Sequence, residues 1–349
     1  MAPDYLPPAA RLEGRTLDDG FVVKKLIQIK PHATGSNFSC GYIVEKDSKE
    51  YFLKALDYSR ALASEDPAAA LQLLTRSFLH ERDICFHCKD RKLTRVVLPV
   101  TTGKVLIDDK SAIGTVEYII FEKAEGDVRS IVVESESFDV AWAMRTLHGV
   151  AAAIKQLHGE QIAHQDVKPS NVLMFGLWMP KLGDFGRSSQ VGKTALHDGH
   201  GIAGDPVYAP PELFYGNVPS DWATRRYGCD AYMFGNLLPF FFANANMSSL
   251  LQDELDLTHK WGRWAGSYSE LLPYLVDAFG KTLNKLERNF PTLFRSELRG
   301  ITYELCHPDP SKRGHPKDRA LNQFSMERYI SAFNRMAKKA EIALASPGD

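Results

Sequence analysis

The sequence is poor in the features that would place it at once in several protein classes. It has five cysteines in 349 residues (Cys40, Cys85, Cys88, Cys229 and Cys306), an odd and scattered set that argues against a disulfide framework and suits a reducing compartment. Cys85 and Cys88 form a CxxC around His87, but no second Cys/His pair stands at ligand spacing, so they read as packed thiols rather than a zinc site. The formal net charge of −1 provides no bulk field for neutralising phosphates, and no nucleic-acid partner is expected. The first residues, MAPDYLPPAARLEG, lack the apolar core of a signal peptide. No uncharged run approaches the roughly 20 residues of a membrane span, the apolar stretch at 237–245 being too short, so no span and a cytoplasmic location are expected. Internal repeats and low-complexity segments are absent as well.

What is present is a change of character along the chain. After a proline-rich tail (residues 1–20), β-type runs alternate with turns: FVVKKLIQI, CGYIVEK, the turn DSKE and YFLKAL. One helix follows, in which Asp66 can cap, Pro67 suits the first turn, and Leu71, Leu74, Phe78 and Cys85 recur at helical spacing. Two further strand-like runs, GKVLI and TVEYIIFE, lead to a turn at Glu125-Gly126-Asp127, beyond which the periodicity is mainly helical. The expectation is an α+β chain of two lobes: a small, antiparallel, β-rich N-lobe with one main helix (21–124) and a larger, mainly helical C-lobe (125–320). A helical extension completes it (321–349). A cleft between such lobes is a common ligand site.

The residues that carry chemistry lie in AHQDVKPSNVLMF and LGDFGRSS. Asp166 can orient or accept the proton of an incoming hydroxyl, and Lys168 can neutralise charge on a transferring phosphoryl group. Asn171 offers a neutral oxygen to Mg²⁺, and Asp184, between an apolar strand end and a glycine, offers a carboxylate to the same metal–phosphate group. Each residue alone has a plain structural explanation, such as a surface lysine or a turn aspartate; their order and spacing together do not. His164 reads as a packed histidine rather than a proton carrier.

With these motifs the sequence resembles the eukaryotic-type Ser/Thr protein kinase superfamily over roughly residues 21–320. The resemblance rests on YFLKAL, FLHERDI, HQDVKPSN, DFG, YAPPE, DAYMFG and HPDPSKR, in that order. It implies a bilobal fold with a nucleotide cleft, ATP and Mg²⁺ as cofactors, and a protein substrate with a Ser/Thr acceptor. It further implies that Lys54 holds the α and β phosphates and pairs with Glu81, that Asp166 is the catalytic base, and that Asn171 and Asp184 are the metal ligands. Phe121 would stand at the back of the adenine pocket, the backbone of Glu122 and Ala124 would meet adenine, Asp127 would meet the ribose, and Leu173 would form the floor. Glu212 would pair with Arg313, and Asp230 would brace the catalytic-loop backbone.

Departures from the pattern are equally informative. The phosphate-covering loop aligns best with Thr34–Gly41, so that Gly35, Ser36, Asn37 and Phe38 would meet the phosphates with the glycines out of place. Phe52 replaces a small residue in the pocket roof and Gly41 replaces a larger one, a pair read as a compensated exchange of volume. Asp205 stands where a threonine is usual, and either pairs with Lys168, the expected outcome, or repels Asp166. Gln165 replaces an arginine whose charge would hold a phosphorylated activation segment, so activity is expected not to require phosphate on Ser188, Ser189 or Thr194. VGKT (191–194) ends like a nucleotide-binding loop but lacks its earlier glycine, and reads as part of the activation segment.

A protein Ser/Thr kinase is therefore the leading expectation, with a pseudokinase acting as a binding module and a small-molecule phosphotransferase as alternatives. The stripe Tyr329, Phe333 and Met336 on the last helix is expected to pack on its own lobe, a partner site being the other option.

Overall fold

Asp47 and Ser48 both adopt left-handed backbone (φ 51° and 60°), the conformation that a two-residue hairpin turn requires, and they join strands β2 (Ser39–Lys46) and β3 (Lys49–Leu56). In the computed structural model, which describes residues 6–28, 38–108, 113–135 and 137–345, this hairpin is the centre of the first of two units divided after Glu125. With β1 (Val22–Leu26), β4 (Pro99–Leu106) and β5 (Thr115–Glu122) it makes an antiparallel five-stranded sheet of order β1-β2-β3-β5-β4. A one-turn helix α1 (Ser59–Leu62) precedes the long helix α2 (Pro67–Asp90). As the sequence foretells, Asp66 caps α2 by accepting from the Ala69 N–H at 3.0 Å, and Pro67 opens its first turn.

The described part of the N-terminal stretch, residues 6–20, packs against the sheet. Ala9, Leu12 and Leu17 are buried in the sheet's core beside Tyr42, Val44, Leu53 and Tyr118. The Tyr42 hydroxyl donates to Ala9 O at 2.7 Å, and Thr16 bridges to Val22. The burial of these apolar side chains, spaced by no regular period, is the physical reason the segment is ordered.

The second unit, Gly126–Asp349, is mainly helical. Its strands are short: β6 (Gly126–Asp127), β8 (Val172–Phe175) and β9 (Met179–Leu182) form one sheet, and β7 (Ile162–Ala163) with β10 (Ser189–Gln190) another. The helices are α3 (Val128–Glu134), α4 (Val140–Gly159), α5 (Pro211–Phe214), α6 (Trp222–Gly235), α7 (Leu237–Ala243), α8 (Met247–Glu254), α9 (Tyr268–Leu286), α10 (Arg295–Cys306), α11 (Arg319–Asn322) and α12 (Glu327–Ala345). The Ala-rich α4 is the hub, buried on most of its circumference. Helix α12 lies along it, with Arg145 pairing with Glu341 at 2.7 Å and bonding Asn334 at 2.9 Å. Tyr329, Phe333 and Met336 are buried there, so the apolar stripe is taken up within the unit. No described helix is long and apolar enough to cross a membrane.

Candidate active site

In the first unit, Lys54 on β3 and Glu81 on α2 form an ion pair, Nζ lying 2.6 and 2.8 Å from the two carboxylate oxygens. Alternation along β3 turns Lys54 to the face opposite the buried Leu53 and Ala55, and the helical spacing of α2 brings Glu81 to meet it. Both side chains are largely shielded from solvent, where a lone charge of either sign would be costly and a pair is tolerated. Gly41 pairs with Lys54 in the strand register, which makes Phe52 its diagonal neighbour. A Cβ on Gly41 would meet the Phe52 ring at 3.0 Å, so the ring fills the space that a side chain at 41 would take. Phe121 lies opposite Phe52 in the β3–β5 register, the Glu122 carboxylate accepts from the Leu98 N–H at 3.2 Å, and Ala124 follows β5, half-buried. Phe38 is exposed; Gly35, Ser36 and Asn37 lie outside the described residues.

In the second unit the loop after β7 is fixed from below. Asp230 on α6, fully buried, accepts the backbone N–H groups of His164 (2.8 Å) and Gln165 (2.6 Å), and His158 Nε2 lies 2.9 Å from the same carboxylate. Those bonds hold Gln165 at φ 59°, a left-handed conformation unusual for a side-chain-bearing residue. His164, fully buried, accepts the Asp166 N–H at Nδ1 (3.3 Å) and therefore carries its proton on Nε2, which donates to Gly183 O at 3.0 Å. It is thus a packed histidine, its ring tilted against Phe185.

Donors surround Asp166. Its Oδ1 accepts the Asp205 N–H at 2.7 Å, while Oδ2 accepts Asn171 Nδ2 at 3.0 Å and lies 3.0 Å from Lys168 Nζ. Lys168 also lies 3.4 Å from Asp205 Oδ2, so the Asp205 carboxylate faces the ammonium. Burial works against the Lys168 charge, but Asp166 beside it, together with Asp205 and Asp184, outweighs burial and lifts its pKa above the ordinary lysine value. Gly204 lets the stretch that carries Asp205 come this close: a Cβ there would fall 2.1 Å from Gln165 O.

Asp184 is exposed and left-handed (φ 63°) after the end of β9. Asn171 directs its Nδ2 to Asp166 O (2.8 Å) and Oδ2, leaving Oδ1 as the amide's acceptor. A carboxylate and an amide oxygen suit a Mg²⁺ carried in with phosphates, which needs one or two protein oxygens rather than a closed protein cage. Among the described residues no cluster of three or more His, Cys, Asp or Glu side chains that could hold a metal occurs. Cys85 and Cys88 are buried in α2. Asp127 lies opposite Leu173 in the β6–β8 register and uses both carboxylate oxygens to cap α3, accepting Ser130 N at 3.0 Å and Ser130 Oγ at 2.7 Å. VGKT follows β10 as a turn, not as a loop opening a helix. Glu212 and Arg313, both essentially without solvent contact, form a two-pronged pair, Nη1 lying 2.6 Å from Oε1.

Two residues that the motifs did not single out, Arg226 and Asp198, converge on this loop: Arg226 donates to the Gln165 side-chain oxygen and to Asp198 Oδ1 (2.6 Å), and Ser189 donates to the same Asp198 oxygen at 2.8 Å.

A model of the protein kinase domain matches residues 35–324. Among curated proteins the chain is 27% identical over 311 residues to "Aurora kinase" of Debaryomyces hansenii, covering 88% of this chain and 66% of that one. It is 29% identical over 197 residues to "Serine/threonine-protein kinase DCLK1" of Rattus norvegicus (53% and 43%). It is 25% identical over 201 residues to "CBL-interacting protein kinase 26" of Oryza sativa subsp. japonica (56% and 34%). The chain spans only about a third to two thirds of the length of these relatives.

Proposed function

The chain belongs to the protein kinase domain family, and from that premise we propose that it is an ATP- and Mg²⁺-dependent protein serine/threonine kinase. The observation that carries the proposal is the Asp166 carboxylate, fixed by Asp205 N–H, Asn171 and Lys168 on a loop braced by Asp230. The names of the relatives, several of them serine/threonine kinases, support the substrate class.

In this reading Asp166 orients the acceptor hydroxyl and takes its proton as the oxygen bonds to the γ-phosphorus and the bond from that phosphorus to the β–γ bridging oxygen breaks, ADP being the leaving group, a contribution of about 10²- to 10⁴-fold. Lys168, its charge secured by three carboxylates, offsets the negative charge that gathers on the transferring group. Lys54, held by Glu81, binds the α and β phosphates. Asp184 and Asn171 would hold Mg²⁺, and the chemistry that ion supplies is neutralisation of phosphate charge. In the first unit, the backbone of Glu122 and Ala124, with Phe121 opposite Phe52 in the sheet, would meet adenine. Turnover without phosphate on the activation segment belongs to the same proposal, because Gln165 is neutral and its amide is already bonded within the chain.

The test is transfer of labelled phosphate from ATP by the wild-type chain beside Asp166→Ala, with a protein acceptor mixture and a metabolite mixture supplied separately. Label in protein that falls at least 100-fold in the variant upholds the proposal. Label in a metabolite assigns a small-molecule phosphotransferase, and label in neither assigns a binding module.

A further inference from the structure

Gln165 carries no charge, yet its side chain is saturated. Nε2 donates to Arg187 O at 3.0 Å and to Ser189 Oγ at 2.7 Å, and Oε1 accepts from Arg226 Nη1. Arg226 projects from α6 one turn before Asp230 and is 4% exposed. A guanidinium so buried requires an anion. The anion it meets is Asp198: Nη2 donates to Asp198 Oδ1 at 2.6 Å, and Asp198 O accepts from both Arg226 (3.4 Å) and Arg225 (2.5 Å).

Asp198 in turn gathers the activation segment. Its Oδ1 accepts Ser189 Oγ at 2.8 Å and its Oδ2 accepts the Ala195 N–H at 2.6 Å. Burial works against its charge, but the bonds from Ala195 and Ser189, with the Arg226 cation, outweigh it and hold the carboxyl below its ordinary range. Ser188 and Ser189 are fully buried in this arrangement, and His197 packs beside Ser189, Nε2 lying 3.3 Å from Oγ. The chain of contacts runs Asp198, Arg226, Gln165 and ends on the residue bonded to Asp166. Gln165 is held left-handed at φ 59°, a conformation that persists only where its surroundings enforce it.

We propose that Arg226 is a positioning residue for Asp166, acting through Gln165, and that Asp198 is the resident anion that keeps Arg226 in place. The catalytic loop is then set by a carboxylate of the chain itself, with no added anion on Ser188, Ser189 or Thr194. This rests on the kinase reading of Asp166, and it adds to that reading the group that fixes the loop.

The test uses the full chain after phosphatase treatment, in five forms: wild type, Asp198→Asn, Asp198→Glu, Arg226→Gln and the double variant Asp198→Asn/Arg226→Gln. Asp198→Asn and Arg226→Gln are expected to lower kcat about 10- to 100-fold, the scale of a small misplacement at a reacting centre. KM for ATP is expected to stay within about twofold, because neither residue is a nucleotide ligand, and Asp198→Glu to recover most of the loss. The double variant should be no slower than the worse single one, as members of one network are not additive. Hydrogen exchange over residues 162–170 and 187–198 should quicken in both single variants. Wild-type kcat with unchanged exchange in Asp198→Asn would overturn the proposal, as would an equal loss in Asp198→Asn and Asp198→Glu. If the wild-type chain transfers no phosphate, the kinase reading fails and exchange alone decides: quickened exchange upholds the positioning role, and unchanged exchange overturns it.

Discussion

Asp205 reaches Asp166 through its backbone, N–H to Oδ1 at 2.7 Å, while its carboxylate lies 3.4 Å from Lys168 Nζ. The side chain therefore sets the position of the lysine, and the main chain sets that of the acid. Asp205→Ala keeps the N–H and removes only the carboxylate. It should lower turnover about tenfold, the worth of one charge-assisted contact of about 1.4 kcal/mol, and Asp205→Thr should recover part of the loss. Undiminished turnover in Asp205→Ala would remove the carboxylate from the mechanism.

The exchange between Gly41 and Phe52 makes a directional prediction. A side chain at 41 must displace the Phe52 ring, which would stand 3.0 Å from its Cβ. Gly41→Val is expected to weaken ATP binding about tenfold and cost about 1–3 kcal/mol by overpacking. Adding Phe52→Ala should restore binding, which titration calorimetry on the two variants would measure. Equal weakening in the single and double variants would mean that the ring and the glycine are not coupled.

Glu212 and Arg313 form a pair with almost no solvent contact, 2% and 0% exposed. Arg313→Ala leaves a buried carboxylate unpaired and should cost about 3–5 kcal/mol in urea unfolding. Replacing both by Leu and Met should cost less than Arg313→Ala alone, since no unpaired charge remains.

Burial, with Lys312 and Arg313 nearby, pushes His307 from the ordinary histidine value of 6.5 down to about 4, against the pull of Asp309. The imidazole is neutral in the fold, and Nδ1 accepts the Asp309 N–H at 3.0 Å. Below pH 6.5 the unfolded chain binds a proton there that the folded chain refuses, so stability is full above that pH and falls as pH drops toward 4. The loss should reach about 3 kcal/mol. His307→Gln should flatten this part of the stability curve by comparison with wild type, with thermal melts at half-unit pH steps as the measure.

Much of the candidate site is legible in the sequence because it is written locally. Lys54, Asp166, Lys168, Asn171 and Asp184 each sit in a short motif whose order alone carries the family resemblance. Asp66 and Pro67 announce the start of α2 by their own chemistry. Gln165 was legible only as a missing charge; that its amide is held from three directions depends on Arg187, Ser189 and Arg226, 22, 24 and 61 residues away. Arg226 belongs to a TRRYG run that looks like an ordinary solvated helix face, and Asp198 to a polar stretch with no period. Distant partners of this kind leave no trace in spacing.

The early segment from Ala9 to Leu17 was illegible for a similar reason, and its place in the sheet bears on how this domain can be handled or inherited. The region that matches the family model starts at residue 35, yet Ala9, Leu12, Leu17, Phe21 and Val23 share one core with Tyr42, Leu53 and Tyr118. An excision guided by motifs alone would uncover that face of the sheet and leave the Tyr42 hydroxyl without Ala9 O. The portable block of this chain is therefore longer than its recognisable one, and a shuffled or recombinant copy must bring the segment from Ala9 to Val23 along to keep Lys54 on a stable strand.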